Sequence, residues 1–166
     1  MVLVTTNQYD DGEAGHNGNL TQQTQHATAT DTRVTAYTYD FRDRQTTTTG
    51  EIDFFQKTYY DNLNRKVKVE RYDTSEDGNL ISRSEFLFDN RGRQYRTLRY
   101  GVNPSTGVVG CPLTSNTWYD AGRNRLQSLP AGSKLFTKTT YDGLGRPITT
   151  YSGYTPVSPS PLRAGA

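Results

Sequence analysis

The sequence predicts an all-β fold, an antiparallel meander of hairpin repeats forming an open coiled (spiral) sheet with almost no helix. Three observations predict it. A Tyr-Asp turn motif recurs along the chain, short alternating segments rich in Tyr, Thr, Phe and Val lie between the copies, and Gly, Asn, Asp and Pro cluster at their ends. No window sustains the three-to-four spacing of an amphipathic helix over three turns.

The motif copies are Tyr39-Asp40…Arg44, Tyr60-Asp61…Arg65, Phe88-Asp89…Arg93, Tyr119-Asp120…Arg123 and Tyr141-Asp142…Arg146. An Asp opening a four-residue turn accepts hydrogen bonds from main-chain N–H groups two or more residues on. The fourth position favours a residue that tolerates positive φ, and Asp43, Asn64, Gly92 and Gly145 stand there. In Asp120-Ala121-Gly122-Arg123 the glycine comes one place early, which predicts a tighter turn or one of another type.

After each turn comes a second strand, then a second turn marked by glycine, as at Gly50, Gly78, Gly107 and Gly132. This spacing predicts strands over 33–39, 44–49, 51–59, 65–72, 80–88, 93–101, 113–119, 125–129, 134–141 and 146–151. A degenerate copy, Tyr9-Asp10…Gly18-Asn19-Leu20, echoes Tyr72-Asp73…Gly78-Asn79-Leu80 and adds one or two strands at the N-terminus. Alternation sets Tyr37 and Tyr39 on one face, and Phe86 with Phe88 likewise. With Tyr60, Tyr119 and Tyr141, these rings are expected to stack from repeat to repeat as an aromatic ladder. The organisation is thus a degenerate N-terminal repeat (1–32), a repeat array (33–151) and a Pro-rich tail (152–166) expected to be extended.

Composition narrows the function. Of 166 residues only 32% are hydrophobic, yet there are 12 Tyr and 6 Phe, so tyrosine must carry packing that Leu and Ile would otherwise supply. Net charge is +2 with both signs interspersed, which gives no strong field for nucleic acid. The sign is uneven: 1–32 contain Asp10, Asp11, Glu13 and Asp31 but no Lys or Arg, a gradient suited to head-to-tail contact between chains. Arg91, Arg93, Arg96 and Arg99 interleave with Tyr95 and Tyr100, but acids on neighbouring repeats neutralise that strip. A lone Cys111 excludes a disulfide framework. The N-terminal apolar run is too short for a signal peptide or membrane span, so export by another route, or a place within something larger, is expected.

Candidate sites are few. Asp73, Ser75 and Asp77 open like a calcium loop, but position twelve is Ser84, and a plain hairpin connector explains them equally well. His16 and His26 have no cysteine near them for zinc. Asn19-Leu20-Thr21 is a glycosylation sequon. The turn aspartates could pair as glycosidase acids, but a catalytic acid does not recur once per repeat, and no nucleophile, base and oxyanion grouping can be assembled. No enzyme activity and no cofactor are expected.

The Tyr-Asp-x-x-Gly-Arg units resemble the YD repeats of the RHS (rearrangement hotspot) superfamily. Asp89-Asn90-Arg91-Gly92-Arg93 and Asp142-Gly143-Leu144-Gly145-Arg146 lie close to the family pattern, and the copies at Asp40, Asp61 and Asp120 are looser. The resemblance covers about residues 33 to 151. It implies a large, secreted or surface-associated all-β protein whose repeats wind into a hollow shell, enclosing a toxic segment in bacterial members and serving adhesion in animal ones. The self-cleaving core of the toxin-bearing members contains an Asp-Pro motif, and no Asp-Pro pair occurs here, so autoproteolysis is not expected. The expected role is a non-enzymatic extracellular or cell-surface scaffold that self-assembles into a shell, fibre or matrix. Its expected partners are copies of itself or flanking repeats of a larger protein. Two alternatives stand beside it: a carbohydrate-binding adhesion module, and a slice of a toxin-enclosing shell.

Overall fold

In the computed structural model the described residues are 4–10, 17–28 and 31–154; His16 and most of the Pro-rich tail lie outside them. Twelve strands form one antiparallel sheet in strict sequence order, open from first to last, with no helix among the described residues. They are β1 (Thr5–Tyr9), β2 (Leu20–His26), β3 (Thr32–Tyr39), β4 (Gln45–Gly50), β5 (Phe54–Tyr60), β6 (Lys66–Tyr72), β7 (Leu80–Phe88), β8 (Gln94–Val102), β9 (Val109–Tyr119), β10 (Arg125–Leu129), β11 (Leu135–Tyr141) and β12 (Pro147–Tyr154). The meander follows because each connector is too short for anything but a hairpin.

Three boundaries differ from the expectation by more than one residue. β5 begins at Phe54 rather than 51, because 51–53 is a turn in which Asp53 takes φ 42°. β9 begins at Val109 despite Pro112; its register with β10 ends at Leu129↔Asn116, so no β10 bond needs the N–H that proline lacks. β12 runs on to Tyr154, three residues into the stretch expected as tail, with Ser152 opposite Thr137 and Tyr154 opposite Leu135. Gly153 permits this: a Cβ there would stand 2.3 Å from Phe136 Cζ, so the Phe136 ring occupies the space above it.

By contacts the chain forms two compact units, Met1–Phe86 with Arg99–Pro112, and Leu87–Leu98 with Leu113–Ala166. Apolar burial is slight among the described residues. In the first unit Phe55, Thr58 and Glu70 are the buried residues, and Phe55 meets Tyr72 edge-on at 5.8 Å.

Charge takes the place of apolar packing there. Register sets Lys57 opposite Glu70 and Glu70 opposite Arg83, while in the adjacent row Tyr59 faces Lys68 and Lys68 faces Glu85. Opposite charges therefore alternate across three strands. Glu70 contacts Lys68 Nζ at 3.1 Å and accepts from the Tyr72 hydroxyl at 3.3 Å; Glu85 pairs with Arg83 and accepts from the Tyr100 hydroxyl at 2.9 Å. Burial pushes the Glu70 carboxyl up, but hydrogen bonds from Tyr59 and Lys68 and the charges of Lys68 and Arg83 outweigh it, and it sits below its ordinary value. Burial, with the bond to Glu70, holds the Tyr59 phenol above its own.

Glu70→Ala leaves these cations without their shared, 5%-exposed anion and is expected to lower the unfolding free energy by about 3 kcal/mol in urea titration. A loss below about 1 kcal/mol would equate the ladder with ordinary surface pairs.

Candidate functional site: the Tyr-Asp turns and the latch between them

Each Tyr-Asp turn is a five-residue loop built by its aspartate. In 40–44 the Asp43 N–H donates to the Asp40 carbonyl at 3.0 Å, and the Asp40 N–H donates to the Arg44 carbonyl at 3.0 Å. Asp40 Oδ1 accepts from the Arg42 and Arg44 N–H groups at 2.9 and 3.1 Å, and Oδ2 accepts from Arg44 Nε at 2.8 Å. The same bonds recur at Asp61, Asp89 and Asp142. The fourth residue is left-handed each time: Asp43 φ 57°, Asn64 62°, Gly92 76° and Gly145 77°. The extra residue shows as a register slip just before the motif tyrosine, at Thr38/Tyr39, Tyr59/Tyr60 and Thr140/Tyr141.

The Asp120 turn corrects the reading of Arg123. It is neither tighter nor of another type: the Asp120 N–H donates to the Asn124 carbonyl at 3.0 Å, as in every other copy. Arg123 takes φ 73°, the left-handed place, and Asn124 stands where the motif arginine belongs, donating its side-chain amide to Asp120 Oδ2 at 2.9 Å. Hydrogen bonding from Asp120 fixes the register of the loop, and the early Gly122 does not shift it. An arginine read by spacing alone is therefore the wrong residue here.

The arginines also reach forward to the next turn. Arg44 Nη1 donates to the Asp61 carbonyl at 2.8 Å while its guanidinium lies 4.8 Å from the Tyr60 ring centre. In the second unit Arg93 donates to the Asp120 carbonyl at 2.6 Å and lies 4.9 Å from the Tyr119 ring. Each such contact contributes about 0.5–1 kcal/mol. The tyrosines reach back: Tyr39 donates to the Leu20 carbonyl at 2.8 Å, Tyr60 to Gln45 at 3.0 Å, Tyr119 to Gln94 at 3.0 Å and Tyr141 to Arg125 at 3.0 Å. Each acceptor is the residue just after the loop of the preceding turn. Sequence reasoning expected these tyrosines to stack ring on ring; at Tyr60 and Tyr119 a guanidinium lies over the ring, and Phe55 and Tyr72 meet edge-on.

The aspartates are held as carboxylates. The Arg44 side chain, then the main-chain N–H bonds, bring the Asp40 carboxyl down to about 2. Main-chain bonds from Arg65, Arg93 and Arg146 lead in lowering Asp61, Asp89 and Asp142, and the Asn124 amide leads at Asp120.

The other candidates are engaged in loops. Asp73 accepts the Asn79 N–H at 2.9 Å and the Asn79 amide at 3.3 Å, so its carboxylate closes its own connector. Among the described residues no three His, Cys, Asp or Glu gather as metal ligands, Asp73 and Asp77 included. The Asn19 amide donates to Asp43 Oδ1 at 2.9 Å, and His26 Nε2 lies 2.9 Å from the Thr6 hydroxyl. In the arginine strip, Arg91 donates to the Ala121 carbonyl and Arg96 to Asn116 Oδ1.

No protein-family model matches the chain, and no curated protein matches it. Solved structures do. A crystal structure of TcdB2-TccC3-Cdc42 aligns over 90% of this chain with a TM-score of 0.69 at 12% identity. A structure of a Photorhabdus luminescens Tc holotoxin pore carrying a TccC3 mutation aligns over 82% with a TM-score of 0.66, also at 12% identity. This chain spans 8% of the length of each. At that identity the likeness shows a shared fold.

Two outcomes are expected from these turns. Arg123→Gly relieves a left-handed non-glycine residue and should stabilise by about 0.5–1 kcal/mol, whereas loss of a genuine motif arginine would destabilise; thermal melting distinguishes them. Folded-state values below the unfolded value mean that the aspartates' contribution is complete above about pH 4 and is lost as pH falls toward 2. Urea midpoints should therefore drop through that window, and Asp40→Asn should flatten the drop.

Proposed function

We propose that this chain is a non-enzymatic structural scaffold, a run of YD-type repeats that forms part of a larger extracellular shell and works by docking further repeats on its last turn. The observation that carries this is Arg146. Where the motif arginine reaches a following turn its side chain is nearly covered, at 17% exposed for Arg44 and 18% for Arg93, but Arg146 is 74% exposed while still bonded to Asp142. The latch is set, and among the described residues nothing takes its forward half.

Two further points support the reading. The turn aspartates are committed to main-chain and arginine bonds, which suits a structural role better than a catalytic one. Two solved structures of like fold, TcdB2-TccC3-Cdc42 and a Tc holotoxin pore, are ones of which this chain spans 8%, which agrees with a slice of an RHS-type shell among flanking repeats. The repeats that dock come either from the same larger protein or from further copies.

Light scattering and negative-stain microscopy across a wide concentration range test the second source. Ordered growth that Arg146→Ala suppresses is the expected result if copies dock on one another. If the chain stays monomeric, a further Tyr-Asp hairpin fused beyond Tyr154 should raise the melting temperature, and Arg146→Ala should remove the gain. A monomer that such a hairpin does not stabilise would overturn the proposal.

A further inference from the structure

Between one Tyr-Asp turn and the next, strand register does not follow the length of the connector. β4 and β5 are joined through 51–53, β6 and β7 through 73–79, and β10 and β11 through 130–134. In each pair the third residue after the arginine place nevertheless faces the third residue before the next motif tyrosine, or before Phe88: Thr47 faces Lys57, Lys68 faces Glu85 and Gln127 faces Lys138. Gln22 faces Ala36 at the same spacing from Asn19 and Tyr39, and Arg96, which bonds Asn116, keeps it between Arg93 and Tyr119. A connector that set the register would shift it on lengthening. What stays constant is the pair of turns, with Arg44 and Arg93 reaching forward and the tyrosines reaching back. A pairing that its connector does not set can form between two chains.

The two outer strands carry the two halves of such a pairing. β12 follows the exposed Arg146, and the Pro147 carbonyl stands where those of Gln45 and Gln94 accept from the next tyrosine. β1 ends on Tyr9, which holds the place of a motif tyrosine: the register slips at Gln8/Tyr9 as it does just before Tyr39 and Tyr60. Tyr9 and the rest of β1 are exposed, and among the described residues neither β1 nor β12 has a second neighbour in the sheet. Carried over to these two strands, the common register sets Thr149 opposite Thr6, Thr150 opposite Thr5, and the exposed Tyr151 opposite the exposed Val4. Hydroxyl pairs and an aromatic–aliphatic pair are favourable cross-strand neighbours. Charge agrees, since 1–32 hold four acids and no Lys or Arg, whereas 134–154 hold Lys134, Lys138 and Arg146 against Asp142 alone.

We propose that β12 of one copy pairs antiparallel with β1 of a second copy, head to tail, with Thr149 facing Thr6. Arg146 then lies over the Tyr9 ring of the second copy and donates to its Asp10 carbonyl, as Arg44 does at Tyr60 and Asp61, and that Tyr9 donates to the Pro147 carbonyl. The pairing rests on the docking reading above and gives it a partner, a surface and a register. Because the contact is heterologous, every copy added presents a fresh β12 to the next.

Directed disulfide cross-linking reads this register. In a Cys111→Ser background, full chains carrying Thr149→Cys are mixed with full chains carrying Thr6→Cys and oxidised gently; facing residues of paired strands lie within disulfide reach. The cross-linked dimer should exceed, by about tenfold, that from Thr150→Cys mixed with Thr6→Cys, whose side chains point to opposite faces. Arg146→Ala should lower the in-register yield by about tenfold, and Tyr9→Phe should lower it less. Equal yields in and out of register, no cross-link beyond random collision, or a yield that neither Arg146→Ala nor Tyr9→Phe lowers would overturn the proposal. If the hairpin fused beyond Tyr154 raises the melting temperature while no cross-link forms, the docking reading stands and pairing between copies falls; if neither occurs, both fall. Circular dichroism of each variant separates a lost cross-link from unfolding.

Discussion

The turns at Asp40, Asp61, Asp89, Asp120 and Asp142 are each closed by one carboxylate, and the order of the sheet depends on it. A five-residue loop with a left-handed fourth position leaves main-chain N–H groups facing inward, and a single aspartate accepts two of them on one oxygen while its other oxygen holds the fifth side chain. Once the loop is set, the fifth side chain is aimed at the next turn. Local closure and repeat-to-repeat attachment are thus one arrangement. A sheet with so little apolar burial among its described residues needs this, because hydrophobic packing alone does not align its strands.

Much of this was legible in the sequence. The hairpin pattern, the absence of helix and the left-handed positions at Asp43, Asn64, Gly92 and Gly145 all follow from local chemistry, in which a turn residue and its neighbours fix one another. What escaped was of longer range. That Tyr60 bonds a carbonyl fifteen residues back and that Arg44 covers the Tyr60 ring are facts of register between strands, and no single repeat carries them. The same holds for Lys57, Glu70 and Arg83, which look like scattered surface charges until pairing sets them in one row.

Asp120 shows the opposite failure, a local signal misread. Gly122 and Arg123 invite a shifted register, yet the loop keeps its length and accepts an arginine in a left-handed conformation. Several hydrogen bonds to one aspartate outweigh the strain at one residue, which costs about 1–2 kcal/mol. At Asp10 the departure is a ten-residue connector in which the frame survives and the arginine does not.

The two sets of connectors are under different constraints. The Tyr-Asp loops at 40–44, 61–65, 89–93, 120–124 and 142–146 keep one length, whereas the alternate connectors range from 51–53 to 73–79. Lengthening a flexible loop costs little, since closure entropy grows only with the logarithm of length. Those alternate strand ends are therefore the permissive margin of the array, where foreign peptides or whole inserted modules could be accepted, and where lineages could diversify what the scaffold displays while its stacking apparatus stays untouched.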